Sequence, residues 1–292
     1  MTDLDEEIIE FEEGVEIIKN GIAKFIDLQE NFPKEKLTPR ELMKLYSCIY
    51  DLCAIHSYSP QFYDLYEQTI KEYIKGIVLS SLREKQDVCF LSELVKRWKN
   101  YKVMCSWMSS HLFQYLDRYY TSDERWLPSL AKVGFTYFYD AVSQDINMKA
   151  RDIVISLIEK EREGTQIDRV LLKNVTDYFV EVGAGWDNYF FKHGPGFYYE
   201  KHYEEGILSN TASYYLGKAM SWISEEDNGD QYYIERAKEC LKREEENVSH
   251  YLTYVSKDKL LATVQQQLLS VYEKHQLDKA KVEELSRNLS FS

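Results

Sequence analysis

The nearest candidate for a carboxylate group that could hold a divalent cation is Glu225-Glu226-Asp227 with Asp230. Magnesium and calcium take oxygen ligands, and an all-helical isoprenoid cyclase would gather several of them on one helix face. Here they follow Trp222-Ile223 in a polar stretch that reads as a solvated turn. Ser109, Ser110 and His111 bring hydroxyls and an imidazole together in sequence, but consecutive helix positions point in different directions, so no nucleophile–base pair results. The six histidines are scattered, and His193 and His202, nine apart, have no acidic partner at ligand spacing. Gly183-Ala184-Gly185 lacks the third glycine and the preceding strand of a dinucleotide loop, and no GxxxxGK[ST] occurs. Cys48, Cys53, Cys89, Cys105 and Cys240 are odd in number, contain no CxxC and lie in apolar, helix-like stretches. They read as reduced, buried thiols, with neither a disulfide framework nor a zinc site. The expectation is a non-enzyme without metal or cofactor. An all-α enzyme with an aromatic-lined cavity is the alternative from another class.

What the chain has in abundance is aromatic surface: 24 Tyr, 13 Phe and 5 Trp in 292 residues. Such side chains serve cores and protein interfaces. Acidic residues outnumber basic ones by 49 to 36, a formal charge of −13. Binding duplex nucleic acid needs a basic footprint, so nucleic acid is not the expected partner. No apolar run reaches the length of a membrane span, and the opening MTDLDEEIIEFEEGVE is acidic where a signal peptide would be basic. No membrane partner is expected.

These residues must be carried by helices. With 12 Gly and 5 Pro, the chain has about half the usual share of about 12 %, too few for the turns of a sandwich, propeller or dinucleotide fold. Ile8, Ile9, Phe11, Val15, Ile18, Ile22, Phe25 and Ile26 repeat by threes and fours and predict a helix over 6–30. Thr38-Pro39 supplies an N-cap and a first helical position for 39–55. Ser59-Pro60 opens 61–83, and further helices fall at 88–101 and 103–120. A break at 121–128 ends in Leu127-Pro128. A second set follows at 128–144, 147–162, 167–183, 197–223, 230–254 and 257–275, with a tail at 279–290. Gly183, Gly185, Gly194, Pro195 and Gly196 mark the main loop of this set. Two similar groups of helices suggest a stacked repeat of some 130 residues.

The phrases ELMKLYSCIYDLC (41–53), SELVKRWKNYKVM (92–104) and YLDRYY (115–120) resemble the first repeat of a cullin N-terminal domain. The likeness continues through LIEKEREGTQIDRVLLKNVTDYFVEVG (157–183), TASYYLGKAMSWI (211–223) and YYIERAKECLKREEENVSHYL (232–252), in order and over nearly the whole chain. It is nearest to the first cullin class, the scaffold of SCF ubiquitin ligases. The resemblance implies an all-α, elongated stalk of about two stacked five-helix cullin repeats: 1–125 as the first, adaptor-binding repeat, 126–256 as the second, and 257–292 as the start of a third or a helical tail. It also implies a location in cytoplasm and nucleus. Ser292 falls about where a third repeat should begin, and no segment resembles the RING-binding half, so the chain resembles a truncated cullin for which no RING partner is expected.

In the family, helices two and five of the first repeat dock an adaptor with a POZ-like fold that carries an F-box receptor. Leu42, Tyr46, Tyr50 and Tyr115 fall on the adaptor-contacting positions, with Met43 and His111 beside them. The residues agree: Leu42, Tyr46 and Tyr50 are four apart and share a face, while Leu45, Ile49 and Leu52 form a neighbouring stripe for the core. Leu42 stands where the family usually has an aromatic ring, and Gly206 where a bulky core residue is usual. The implied function is a non-catalytic scaffold segment of an SCF-like ligase. A decoy that sequesters adaptors shares its contact surface, and a purely architectural helical repeat with a different partner is a further alternative.

Overall fold

The computed structural model describes residues 10–32, 35–124, 126–142, 144–184, 196–224 and 230–290. Its described residues contain helices and no strand. They form two compact units, the first ending at Ser143 and the second starting at Gln144.

The first unit is built on α1 (Phe11–Asn31), α2 (Pro39–Tyr50), α3 (Ser59–Tyr73), α4 (Asp87–Trp107) and α5 (Leu130–Ala141). Thr38 caps α2 as its sequence reads. Its Oγ1 accepts from the Glu41 N–H at 3.3 Å, the Glu41 carboxylate accepts from the Thr38 N–H at 2.8 Å, and Pro39 occupies the first position. Lys24 of α1 adds an ion pair to Glu41 at 2.6 Å. The Lys24 hydrogen bond first, then those of Thr38, hold the Glu41 carboxyl at about 2. The start of α2 is thereby fixed against α1.

Ile18 and Ile22 of α1 and Leu45, Cys48 and Ile49 of α2 are buried in the core. The two helices approach closely because residue 21 is glycine: a Cβ there would stand 2.4 Å from Leu45 Cδ2. We expect Gly21→Ala to destabilise the first unit by about 1–3 kcal/mol through overpacking, despite a helix-propensity gain of up to about 1 kcal/mol. Urea denaturation measures this, and a stabilised variant would mean that Leu45 has room to move.

Helix α5 packs onto the first unit through its backbone. Tyr66 donates to the Leu130 carbonyl at 2.8 Å, Tyr63 to that of Pro128 at 3.0 Å, and Tyr101 to that of Gly134. Asp117 accepts from the Leu130 N–H at 2.7 Å. The compact units therefore part at 143/144, later than the 121–128 break in the helical pattern.

Four local features differ from the sequence reading. The segments 88–101 and 103–120 are not separated at residue 102; α4 runs unbroken to Trp107 and continues through a π-helical turn, Met108–Leu112. No Gly or Pro interrupts it there, and the chain bends at Phe113, whose N–H closes on the Met108 carbonyl at 2.7 Å. Similarly, 257–275 and 279–290 belong to one helix. All five cysteines are free, but Cys89 is exposed and Cys240 half-buried, because each lies on an outward position of its helix. Gly183 lies within a helix, not in a loop, where a Cβ would stand 3.0 Å from Tyr198 Cβ. Gly185, His193, Gly194, Pro195 and the acidic Glu225-Glu226-Asp227 are outside the described residues.

The second unit contains α6 (Gln144–Arg162), α7 (Arg169–Ala184), α8 (Glu205–Ser224), α9 (Asp230–Asn247) and α10 (Lys257–Ser290). Helix α6 stops because Gly164 takes φ +91°, a left-handed conformation that suits glycine. The Gly164 N–H donates to the Glu161 carbonyl at 2.9 Å and the Thr165 N–H to the Lys160 carbonyl at 2.8 Å, a Schellman closure. That stop presents Arg162 to α8 and α9. Its guanidinium donates from Nε to Glu244 at 2.7 Å and from Nη2 to Thr211 at 2.8 Å. Glu244 also accepts from Tyr215 at 2.7 Å and from Tyr251. Both partners are buried, with side-chain exposures of 4 % and 2 %. At Gly206, the room left by the absent side chain is filled by Arg151, whose Cδ lies 2.3 Å from where a Cβ would be. An arginine stem thus stands in for the bulky residue.

Candidate docking surface

Helix α2 presents two faces, as its spacing implies. Leu45 and Ile49, with Leu52 in the π-helical turn Asp51–Ile55, are buried. Leu42 and Tyr46 are half-buried, and Tyr50 is 44 % exposed. The outer face meets the segment that follows α4. Tyr46 and Tyr50 stack with ring centroids 6.4 Å apart. Tyr50 meets Tyr115 edge-on at 5.3 Å, and Tyr115 leans on Tyr119 at 5.0 Å. Four rings from two elements form one continuous run. Burial, with lesser contributions from Cys53 and Tyr50, raises the Tyr115 phenol above its ordinary value, so its hydroxyl is an uncharged hydrogen-bond donor at neutral pH.

Tyr119, 54 % exposed, was not among the residues singled out from sequence. Its signal is the four-residue spacing from Tyr115, the same spacing that joins Tyr46 to Tyr50. Leu42 and His111 do not join the tyrosine run. They meet beside it, in an apolar groove of about 500 Å³ shared with Phe25, Leu37 and Trp107. Its floor is the Phe25–Trp107 stack, centroids 3.8 Å apart. Met43 is 65 % exposed and stands on the neighbouring side of α2. The six residues therefore divide into a tyrosine ridge, a groove edge and an isolated exposed thioether.

The ridge offers desolvatable area, stiff rings and hydroxyls at the rim, the attributes of a binding hot spot. Ser109 is buried and donates to the Cys105 carbonyl at 2.9 Å, while His111 is exposed. His202 packs against Tyr198 at 4.6 Å, and burial lowers its pKa. No described helix is long and apolar enough to cross a membrane.

An all-α protein of packed helical units carrying an exposed aromatic ridge is the class this geometry defines. The cullin alpha solenoid domain matches residues 15–290, and the chain belongs to the cullin family, the non-catalytic scaffolds of ubiquitin ligases. It is 44 % identical to Cullin-1 of Oryza sativa subsp. japonica over 93 % of its own length and 35 % of that protein. It is 43 % identical to Putative cullin-like protein 2 of Arabidopsis thaliana, over 92 % of this chain and 70 % of the relative. Against Cullin-like protein 3 of Arabidopsis thaliana the identity is 39 %, covering 86 % of this chain and 93 % of the relative. The chain thus spans about a third of the rice cullin and most of the two cullin-like proteins.

Proposed function

We propose that this chain is a scaffold segment of an SCF-like ubiquitin ligase, and that its first unit docks a POZ-fold adaptor carrying an F-box receptor. The observation that carries this reading is the tyrosine run Tyr46–Tyr50–Tyr115–Tyr119, left at the surface where α2 meets the segment after α4. Burying these rings in a core would have been the cheaper arrangement for the free chain. Leu42, Met43 and His111 extend the contact on either side, and the 44 % identity to a protein named Cullin-1 supports the adaptor class. Neither a catalytic group nor a RING partner is part of this reading.

A second reading is sequestration of adaptors through the same tyrosine run. Both readings give one expectation. Added in excess to a reconstituted ligase containing an intact cullin, the chain should lower ubiquitin transfer in proportion to the adaptor it occupies, and added adaptor should restore it. Stimulated transfer in a mixture without intact cullin would contradict the scaffold assignment.

A further inference from the structure

The cleft between α8 and α9 in the second unit encloses a cavity of about 360 Å³. Its wall carries four cations, Arg162, Lys218, Arg236 and Arg243, against two carboxylates, Glu163 and Glu239. Glu244, paired to Arg162 behind this wall, is a third carboxylate, so the cluster holds one cation in excess in a chain of net charge −13. Glu163 is already committed, to Lys218 at 2.9 Å and to the Tyr214 hydroxyl at 2.7 Å. Glu239 lies 3.8 Å from Arg236, and both are half-exposed. Arg243 has no carboxylate at ion-pair distance among the described residues; its Nη1 donates to the Arg162 carbonyl at 3.1 Å.

Arg162 adds an independent observation. Its Nε and Nη2 are used by Glu244 and Thr211. Its Nη1 is buried without any acceptor, although a guanidinium in a protein interior normally has its N–H groups satisfied. Arg162 and Arg243 also border a second cavity of about 730 Å³ on the side of the α6–α7 turn. Arg243 thus borders open volume on both sides, with the buried Arg162 guanidinium behind it.

We propose that the α8–α9 cleft is a binding site for a small phosphate-bearing anion. Arg243 and Arg236 supply charge and donors, the buried Arg162 backs the inner end, and the Tyr214 and Tyr232 rings wall the sides. Planar, multiply donating arginines suit phosphate oxygens. The site is in the second unit and is independent of adaptor docking.

Calorimetric titration of the whole chain at low ionic strength tests this, with inorganic pyrophosphate in one arm and phenyl phosphate in the other. Saturable one-site binding is expected, weakened at least tenfold by Arg243→Gln and further by adding Arg236→Gln, with far-UV dichroism and melting unchanged. Tighter binding of pyrophosphate would assign the site to a free phosphate, and tighter binding of phenyl phosphate to an organic phosphate held by the rings. Absence of saturable binding in both arms, or binding indifferent to Arg243→Gln, overturns the proposal and leaves the unpartnered Nη1 to a trapped water.

Discussion

Tyr46→Ala is expected to weaken adaptor binding at least tenfold while the melting midpoint stays within a few degrees of wild type. Tyr46 is half-buried, one helical turn from both Leu42 and Tyr50, and it begins the ring run that continues to Tyr115 and Tyr119. Truncating a desolvated aromatic near the centre of an interface costs on the order of 2 kcal/mol or more, about thirtyfold in affinity. A fully buried tyrosine would behave differently, since its removal leaves a cavity and costs several kcal/mol of folding stability. Core positions on the same helix, such as Ile49 at 0 % exposure, provide that comparison: Ile49→Ala should lose about 2–5 kcal/mol of stability. Calorimetry with thermal melts separates the two effects. Undiminished affinity in Tyr46→Ala would take α2 out of the interface.

Glu244→Ala is expected to cost the largest share of stability in the second unit, about 3–5 kcal/mol, because it leaves Arg162 buried without a countercharge. Replacing both, as in Arg162→Met with Glu244→Leu, should recover most of that loss, since two desolvated charges are removed together. Burial by itself raises the Glu244 carboxyl, but the Arg162 charge and hydrogen bond, then the Tyr251 and Tyr215 hydroxyls, bring it below its ordinary value. The sign of the pH dependence follows. A depressed folded-state carboxyl contributes stability that is fully present above the unfolded value of about 4.3 and is lost as pH falls through the folded value. Stability should therefore be insensitive to Glu244 between pH 7 and 5 and decline below, and Glu244→Gln should flatten that decline. Denaturant melts across this range measure it; an equally steep decline in Glu244→Gln would place the acid sensitivity elsewhere.

The tyrosine ridge was more legible in the sequence than the buried network. Helix α2 announces itself by Thr38-Pro39 and Glu41, which are local, and its two faces follow from a period of 3.6. Tyr115 came from resemblance, and Tyr119 could have been added by spacing alone. The pairing of Arg162 with Glu244, 82 residues apart, has no local signal: both lie in strings of charged residues, EKEREG and KREEEN, where a solvated face is the ordinary expectation. What selects these two is the Schellman stop at Gly164, which ends α6 beside α8 and α9. The π-helical turns were also unreadable. Met108–Leu112 and Leu116–Tyr120 carry no Gly or Pro, yet they set the direction in which Tyr115 and Tyr119 face α2. An ordinary helical continuation would rotate each later residue relative to that meeting point, so the ridge depends on turns that periodicity cannot see.

The departures from the family pattern have physical counterparts. Leu42 borders the Phe25–Trp107 groove, and the run of stacked rings begins at Tyr46. Gly206 leaves room that Arg151 occupies, so the second unit is filled there by a side chain from α6.

Hydrogen–deuterium exchange on the whole chain, with and without a purified POZ-fold adaptor, tests the docking assignment most directly. Binding should slow exchange in residues 39–55 and 108–120 together and leave α8 and α9 unchanged. Protection confined to the second unit, or no protection at saturating adaptor, would contradict it.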